Sequence, residues 1–208
     1  MPLQSIEAAK SHGIYRIYIK RLLDVLFSIF GLLILSPVFI IIAIAIKLDS
    51  KGPVFFAQER LGKKGKVFKI VKFRTMVVGA EKMGEGLMIS SSKDNRITKF
   101  GAFLRETSLD EIPQFINILK GDMSIVGPRP PATYHPYDGY EGYPEWAKKR
   151  FDLRPGVTGL AQVVYRNSVE WNDRIKLDVR YIDTVAFLAD AKLILKTIQK
   201  IFTRQDIY

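Results

Sequence analysis

The longest apolar stretch sets the first expectation. Val25 to Ile46 reads VLFSIFGLLILSPVFIIIAIAI, 22 residues without a charge. A run of this length reaches the ~20 residues that a membrane-crossing helix needs. Three arrangements compete for it: a cleaved signal peptide ending near Ala43-Ile44-Ala45, a single-pass helix, and a re-entrant hairpin that enters and leaves by one face. The run exceeds a usual signal-peptide core and basic clusters follow it at once, which argues against the first. Charge separates the other two. Lys10, Arg16, Lys20 and Arg21 precede the run, and Lys47, Lys51, Arg60, Lys63, Lys64 and Lys66 follow it. Cytoplasmic flanks carry the excess of Lys and Arg, so two basic flanks favour both ends in the cytoplasm. Pro37 has no N–H and its ring crowds the preceding turn, so a bend is expected at Ser36-Pro37. Each arm is then about 15 Å of helix, enough for roughly one leaflet. The Ser36 hydroxyl can serve a carbonyl that the bend frees. The pattern favours the hairpin, with a proline-kinked span as the alternative.

The rest of the chain is mixed in pattern. Tyr15 to Arg21 reads as an interfacial helix, with Tyr15 and Tyr18 at headgroup depth. Residues 54–58 and 66–73 predict a β-hairpin turning at Gly62-Lys63-Lys64-Gly65. Residues 79–98, rich in Gly, Ser and Lys, read as a mobile loop, and Lys99 to Thr107 as a helix. Ser108-Leu109-Asp110-Glu111 matches the S-x-x-E capping box of a following helix, with Pro113 in its first turns and Gly121 at its end. Residues 127–145 hold five of the ten prolines and read as ordered loop. Near the C-terminus, Lys192, Lys196, Lys200 and Arg204 recur on one helical face, while Leu188, Leu195, Ile198, Ile201 and Phe202 face elsewhere. That pattern suits a helix lying on a membrane surface or one packed on the chain's own core.

Composition narrows the partners. The 208 residues carry 32 Lys+Arg against 21 Asp+Glu, a net charge of +11, yet 48% are hydrophobic. The charge points to nucleic acid or a membrane surface. The apolar content argues against a disordered basic tail. The absence of cysteine excludes a disulfide scaffold, thiol catalysis and thiolate-bound metals. His12 and His135 are the only histidines, too few for a multi-His metal site, and His135 reads as loop structure. From Arg60 to Arg74 there are seven basic residues and no acidic one. Beside an apolar segment, such a ribbon suits anionic lipid or a phosphorylated substrate.

Asp110-Glu111 is the first candidate for chemistry. Adjacent acids near a helix start commonly serve the helix dipole alone. Here Arg105 precedes them, and Gly127-Pro128-Arg129-Pro130 follows after one helix and holds Arg129 on a stiff turn. A carboxylate pair flanked by arginines suits Mg²⁺ with a phosphate substrate. Magnesium takes one or two carboxylates plus phosphate oxygens, and Arg meets phosphate bidentately. Arg154-Pro155-Gly156-Val157-Thr158-Gly159 is a second rigid turn with one Arg. Neither turn has the order of a P-loop or a Rossmann turn. The five aromatics from Tyr134 to Trp146 suit stacking on a base or sugar, or packing.

The motifs, in order, resemble the bacterial sugar transferase family, the monotopic polyprenol-phosphate phosphoglycosyl transferases. They are Lys20-Arg21-Leu22-Leu23-Asp24, the Ser36-Pro37 run, Gly52-Pro53-Val54-Phe55, Lys72-Phe73-Arg74-Thr75-Met76, Leu104 to Gln114, Lys120 to Pro130, and the R-P-G-V-T-G turn. The chain is similar to the small bacillosamine-type members. The resemblance implies an α+β fold: a monotopic membrane protein with a proline-broken re-entrant helix hairpin, interfacial amphipathic helices and a small β-hairpin. It implies an N-terminal interfacial segment over 1–24, the hairpin over 25–46, and a catalytic domain on the cytoplasmic face of the bacterial plasma membrane over 47–208. The implied reaction moves a phosphosugar from a UDP-sugar to a polyprenyl (undecaprenyl) phosphate and releases UMP, starting a membrane-linked glycan. Asp110 would attack the sugar-linked phosphorus, and the polyprenyl phosphate would then attack the aspartyl intermediate. Glu111 would hold Mg²⁺ with Asp110, or accept a proton. Arg105, Arg129, Lys72, Arg74 and Arg154 are the expected phosphate-binding residues. Anionic lipids and downstream glycosyltransferases are the expected partners, and an N-acetylated amino sugar the expected donor. Two other readings compete: a membrane-tethered nucleic-acid-binding module, for which no motif is present, and a non-catalytic adaptor, against which the intact dyad argues.

Overall fold

The computed structural model describes residues 13–83, 94–165 and 169–203. Expectations for Lys10, His12, Arg204, half of the 79–98 loop and the side chain of Phe202 lie outside what is described. Tyr15–Ile19 forms one π-helical turn that continues into α1 (Lys20–Asp49). This 35-residue helical stretch is long and apolar enough to cross a membrane, with mean hydropathy 3.0 over its most apolar part. α1 runs without interruption through Pro37, and the Ser36 hydroxyl donates to the Leu33 carbonyl at 2.8 Å.

The face of α1 turned to the body is unusual. In its first half the buried residues are Lys20, Asp24 and Ser28, a polar stripe at i, i+4 spacing. The Lys20 ammonium meets Asp190 at 2.6 Å, and Asp24 accepts from the Ile125 N–H at 2.9 Å and the Ser124 hydroxyl at 3.1 Å. Asp190 also accepts from the hydroxyls of Tyr15 and Tyr181. In the second half, Ile42 and Ile46 pack on Phe73 and Leu104. Leu26, Phe30, Leu33, Ile40, Ile41 and Ile44 remain exposed.

β1 (Phe55–Leu61) and β2 (Val67–Phe73) pair antiparallel from Phe55↔Phe73 to Leu61↔Val67. The hairpin is where the sequence placed it, with a longer first arm. The turn is possible because Lys64 and Gly65 both take positive φ. β2 buries Phe68 and Ile70 against Ile118 and Met123. α2 (Lys99–Glu106) starts at Thr98, whose hydroxyl accepts from the Gly101 N–H. α3 (Gln114–Lys120) ends at Gly121, whose left-handed φ of 88° fits the expected stop. Asn117 of α3 clamps the hairpin: its amide accepts from the Val71 N–H and donates to the Lys69 carbonyl.

β3 (Ser124–Val126) pairs parallel with β4 (Gly156–Thr158), so the two glycine turns seen in sequence are one structure. A Cβ on Gly127 would lie 2.5 Å from the Arg154 carbonyl, and one on Gly159 2.1 Å from the Gly127 carbonyl. Only glycine permits this approach. α4 (Glu145–Lys148), α5 (Leu160–Val164), α6 (Trp171–Asp183) and α7 (Phe187–Thr203) complete the body. One core joins Tyr15, Val126, Leu160, Tyr181, Ile182 and Leu193. A second joins Leu61, Tyr143, Phe151 and Ile175. α7 packs on the core through Ala189 and Leu193 while leaving Leu188, Leu195, Ile198 and Ile201 exposed.

Candidate active site

Asp110 and Glu111 sit in a 3-10 turn, Leu109–Glu111, between α2 and α3. The expected capping box does not form. Ser108 adopts φ 55°, a left-handed conformation, and its side chain makes no capping bond. A capping serine needs extended backbone. The Glu111 carboxylate instead takes the Lys72 ammonium at 2.5 Å, which outcompetes a backbone N–H. Lys72 also lies 3.8 Å from Asp110, and Arg129 lies 3.9 Å from Glu111. Gln114, buried at the start of α3, adds a hydrogen bond to Glu111.

The environment splits the two carboxylates. Burial raises Glu111, but the Lys72 and Arg129 charges outweigh it and hold the group at about 2. Burial also raises Asp110, and here the neighbouring Glu111 charge adds to it, against opposition from Lys72, Arg105 and Arg129. The net shift is upward. Glu111 is thus the settled counter-ion of the cations. Asp110 is the more basic, less compensated carboxylate.

Asp110 opens into a groove of about 790 Å³ shared with Lys72, Arg105, Arg129, Phe55 and Tyr134. Arg105 is steered by its Nε–H, which donates to the Thr75 hydroxyl at 2.8 Å. Four of the expected residues therefore meet at one place: the dyad carboxylate and three cations. Arg74 lines the same groove but donates to the Lys51 and Ser50 carbonyls at 2.7 and 2.8 Å, so it fastens the exit of α1. Arg154 is placed elsewhere, in a separate cleft, with its Nε–H on the Gly121 carbonyl. Most of the 134–146 aromatics pack: Tyr137, Tyr140 and Tyr143 gather around Phe151.

Among the described residues no cluster of three or more His, Cys, Asp or Glu occurs. Asp110 and Glu111 are the candidate metal ligands, a donor set that fits a magnesium ion completed by water and substrate phosphate.

Sequence reading gives Thr75 and Gln114 no role beyond motif membership, whereas in the fold they orient Arg105 and Glu111. It passes over Arg150. That guanidinium, 2% exposed, pairs with Asp178 at 2.6 Å and donates to the Arg129 carbonyl at 2.9 Å. A lone Arg in the run KKRFD carries no local signal of burial.

Residues 15–204 match the bacterial sugar transferase family. The chain belongs to this family. It is 44% identical over 190 residues to the galactosyl transferase CpsE of Streptococcus agalactiae, covering 86% of this chain and 41% of that protein. Over 195 residues it is 41% identical to a UDP-glucose:undecaprenyl-phosphate glucose-1-phosphate transferase of Caulobacter vibrioides, covering 91% and 72%. Over 189 residues it is 38% identical to a UDP-N-acetylgalactosamine-undecaprenyl-phosphate N-acetylgalactosaminephosphotransferase of Aeromonas hydrophila, covering 89% and 44%. The chain spans less than half the length of the first and third of these relatives.

Proposed function

We propose that this chain transfers a phosphosugar from a UDP-sugar to undecaprenyl phosphate, releasing UMP. The observation that carries the reading is Asp110: a desolvated carboxylate, raised in basicity, opening into a groove ringed by Lys72, Arg105 and Arg129. The names of two relatives supply the donor and acceptor classes. Those names carry different sugars, so the expected N-acetylated amino sugar is one candidate in a panel.

The reaction is written in two steps. An Asp110 oxygen bonds to the phosphorus that carries the sugar, and the bond from that phosphorus to UMP breaks, the electron pair leaving with UMP. An oxygen of the polyprenyl phosphate then bonds to the same phosphorus, and the aspartyl–phosphorus bond breaks, restoring the carboxylate. A covalent relay lets a water-soluble donor and a lipid acceptor use one site in turn. Alignment and charge neutralisation are the main demands of phosphoryl transfer. Lys72, Arg105 and Arg129 meet them from this chain. Mg²⁺ held by Asp110 and Glu111 would add charge neutralisation on the diphosphate. Glu111, ionised down to about pH 2, is a poor proton acceptor, which favours a metal-holding and counter-ion role for it.

The helix is proposed to be re-entrant at the cytoplasmic face. Both of its ends are fastened to the same body, which supports this reading. Lys20 and Asp24 bond α7 and β3, and Asp49 accepts from the Phe100 N–H of α2 at 3.1 Å. A crossing helix would leave its ends on opposite faces of the bilayer, out of reach of one body on one face. Cysteines placed singly at positions 5 and 64 test it. Both should react only from the cytoplasmic side, and labelling from opposite sides means a true span.

The activity test is UMP release from a panel of UDP-sugars with undecaprenyl phosphate and Mg²⁺. Asp110→Asn should lose both turnover and the radiolabelled phosphosugar adduct. Full turnover in that variant refutes the mechanism.

A further inference from the structure

A second cleft, of about 230 Å³, lies where the Tyr15–Ile19 turn enters α1. It shares no lining residue with the dyad groove. Five cations line it: Arg16, Lys20, Arg21, Lys63 and Arg154. Two acids do, Asp24 and Asp152. The lining therefore keeps an excess of positive charge. Asp24 is engaged by the Ser124 hydroxyl and the Ile125 N–H. Lys20 is already matched by Asp190 from behind.

The other four cations meet no carboxylate within ion-pair distance among the described residues. Arg21 donates to the Ile118 and Leu119 carbonyls at 2.6 and 3.1 Å, and Arg154 to the Gly121 carbonyl at 2.8 Å. Arg16 makes one long bond, 3.4 Å, to the Ile182 carbonyl. These bonds satisfy N–H groups without cancelling charge, and each guanidinium keeps further donors. The charged form of Lys63 is disfavoured here. Burial lowers its basicity, the charges of Arg154, Lys64 and Arg16 lower it again, and only Asp152 opposes them. Four cations held together in a recess, with no carboxylate at ion-pair distance, are matched by a small dianion or monoanion with several acceptor oxygens.

The surroundings say where that anion comes from. Ile17 lines the cleft and is 62% exposed, and its neighbours Ile14 and Tyr18 are each 70% exposed. This apolar rim continues into the bare face of α1. A phosphate reaching the cleft from that side carries acyl chains that can cover the rim. We propose that the cleft binds the phosphate of an anionic lipid headgroup, a site distinct from the dyad. The inference rests on the membrane reading of α1 and is independent of the transfer reaction.

The test uses the whole chain in an uncharged detergent and counts bound ligand by native mass spectrometry. The probes are short-chain phosphatidylglycerol, short-chain phosphatidylcholine (whose choline cancels the phosphate charge) and inorganic phosphate. One phosphatidylglycerol should bind per chain. Binding should weaken by about tenfold or more in the double variant Arg16→Gln/Lys63→Gln, as charge-assisted hydrogen bonds to the phosphate are lost. A charge-matched control, Lys149→Gln/Lys176→Gln, removes two exposed lysines elsewhere and should leave binding within about twofold. Equal weakening in both double variants, or none in the first, overturns the site. Equal affinity for phosphatidylcholine also overturns it. Inorganic phosphate binding as tightly as the lipid overturns the lipid as its source.

Discussion

Replacing Lys72 by Met removes the ammonium that lies 2.5 Å from Glu111 and 3.8 Å from Asp110 while keeping a side chain of similar length. The size of the effect follows from Glu111, moved from the ordinary 4.5 to about 2. At ~1.4 kcal/mol for each tenfold change, that displacement amounts to about 3 kcal/mol of preference for the ionised form. Arg129 supplies part of it and remains in the variant, and the Glu111 side chain is 20% exposed, so partial solvation softens the loss. A destabilisation of about 2 kcal/mol at pH 7 is expected. For a chain of this size, that lowers Tm by about 4–8 °C.

The pH dependence has a definite sign. A carboxylate whose folded pKa is depressed contributes stability fully above its unfolded pKa, near 4.5, and loses it as pH falls toward the folded value of about 2. The Tm gap between wild type and Lys72→Met should therefore be constant from pH 7 to about pH 5 and narrow below that. Intrinsic fluorescence of the two tryptophans during heating reads both. Adding Glu111→Gln to Lys72→Met should restore most of the loss, because the stranded charge is then gone. A gap that stays the same at pH 3.5 and pH 7, or a Tm unchanged by Lys72→Met, refutes the pairing as the source of the Glu111 shift.

Three further outcomes are expected. Thr75→Val removes the acceptor that steers Arg105, so kcat in UMP release should fall about tenfold while Tm moves by less than about 2 °C. Gly127→Ala sets a Cβ 2.5 Å from the Arg154 carbonyl, and circular dichroism melts should show a loss of several kcal/mol from the displaced β3–β4 pairing, on the order of 2–4. Asp190→Ala leaves the Lys20 ammonium buried with its partner gone, and limited proteolysis should show the N-terminal helix released, at a cost of about 3–5 kcal/mol.

How much of this was legible in sequence depended on the range of the interaction. The apolar run, the β-hairpin turn and the Gly121 stop are local patterns, and the structure keeps them. The Lys72–Glu111 pair joins residues 39 apart, and no local pattern announces it. The same pair explains why the capping box failed: the motif was present, but a buried ammonium was a better partner for Glu111 than a backbone N–H. β3 and β4 are three residues each, too short for alternation to show, so two halves of one parallel ladder read as separate turns. Arg74 and Arg154 look in sequence like Arg105 and Arg129. Only the fold separates them: Arg74, although it lines the groove, and Arg154, in its separate cleft, hold backbone carbonyls.

That separation bears on how the site meets a lipid. The first half of α1 turns a polar stripe inward and apolar residues outward, the reverse of an amphipathic helix on a soluble core. Hydrogen bonds and ion pairs along the stripe strengthen as the surroundings become less polar. Docking of α1 on the body is therefore reinforced by the same environment that its outer face requires. The dyad is fixed to this helix through α3. Arg21 of α1 holds the carbonyls of Ile118 and Leu119, and Phe115 packs against Gly31 so closely that a Cβ there would stand 3.2 Å from its ring. Glu111 is three residues before Gln114, the first residue of α3. Under the proposed function, the depth of α1 in a bilayer would set the depth of Asp110, and a polyprenyl phosphate held at headgroup level would have its reacting oxygen brought to the carboxylate by the membrane itself.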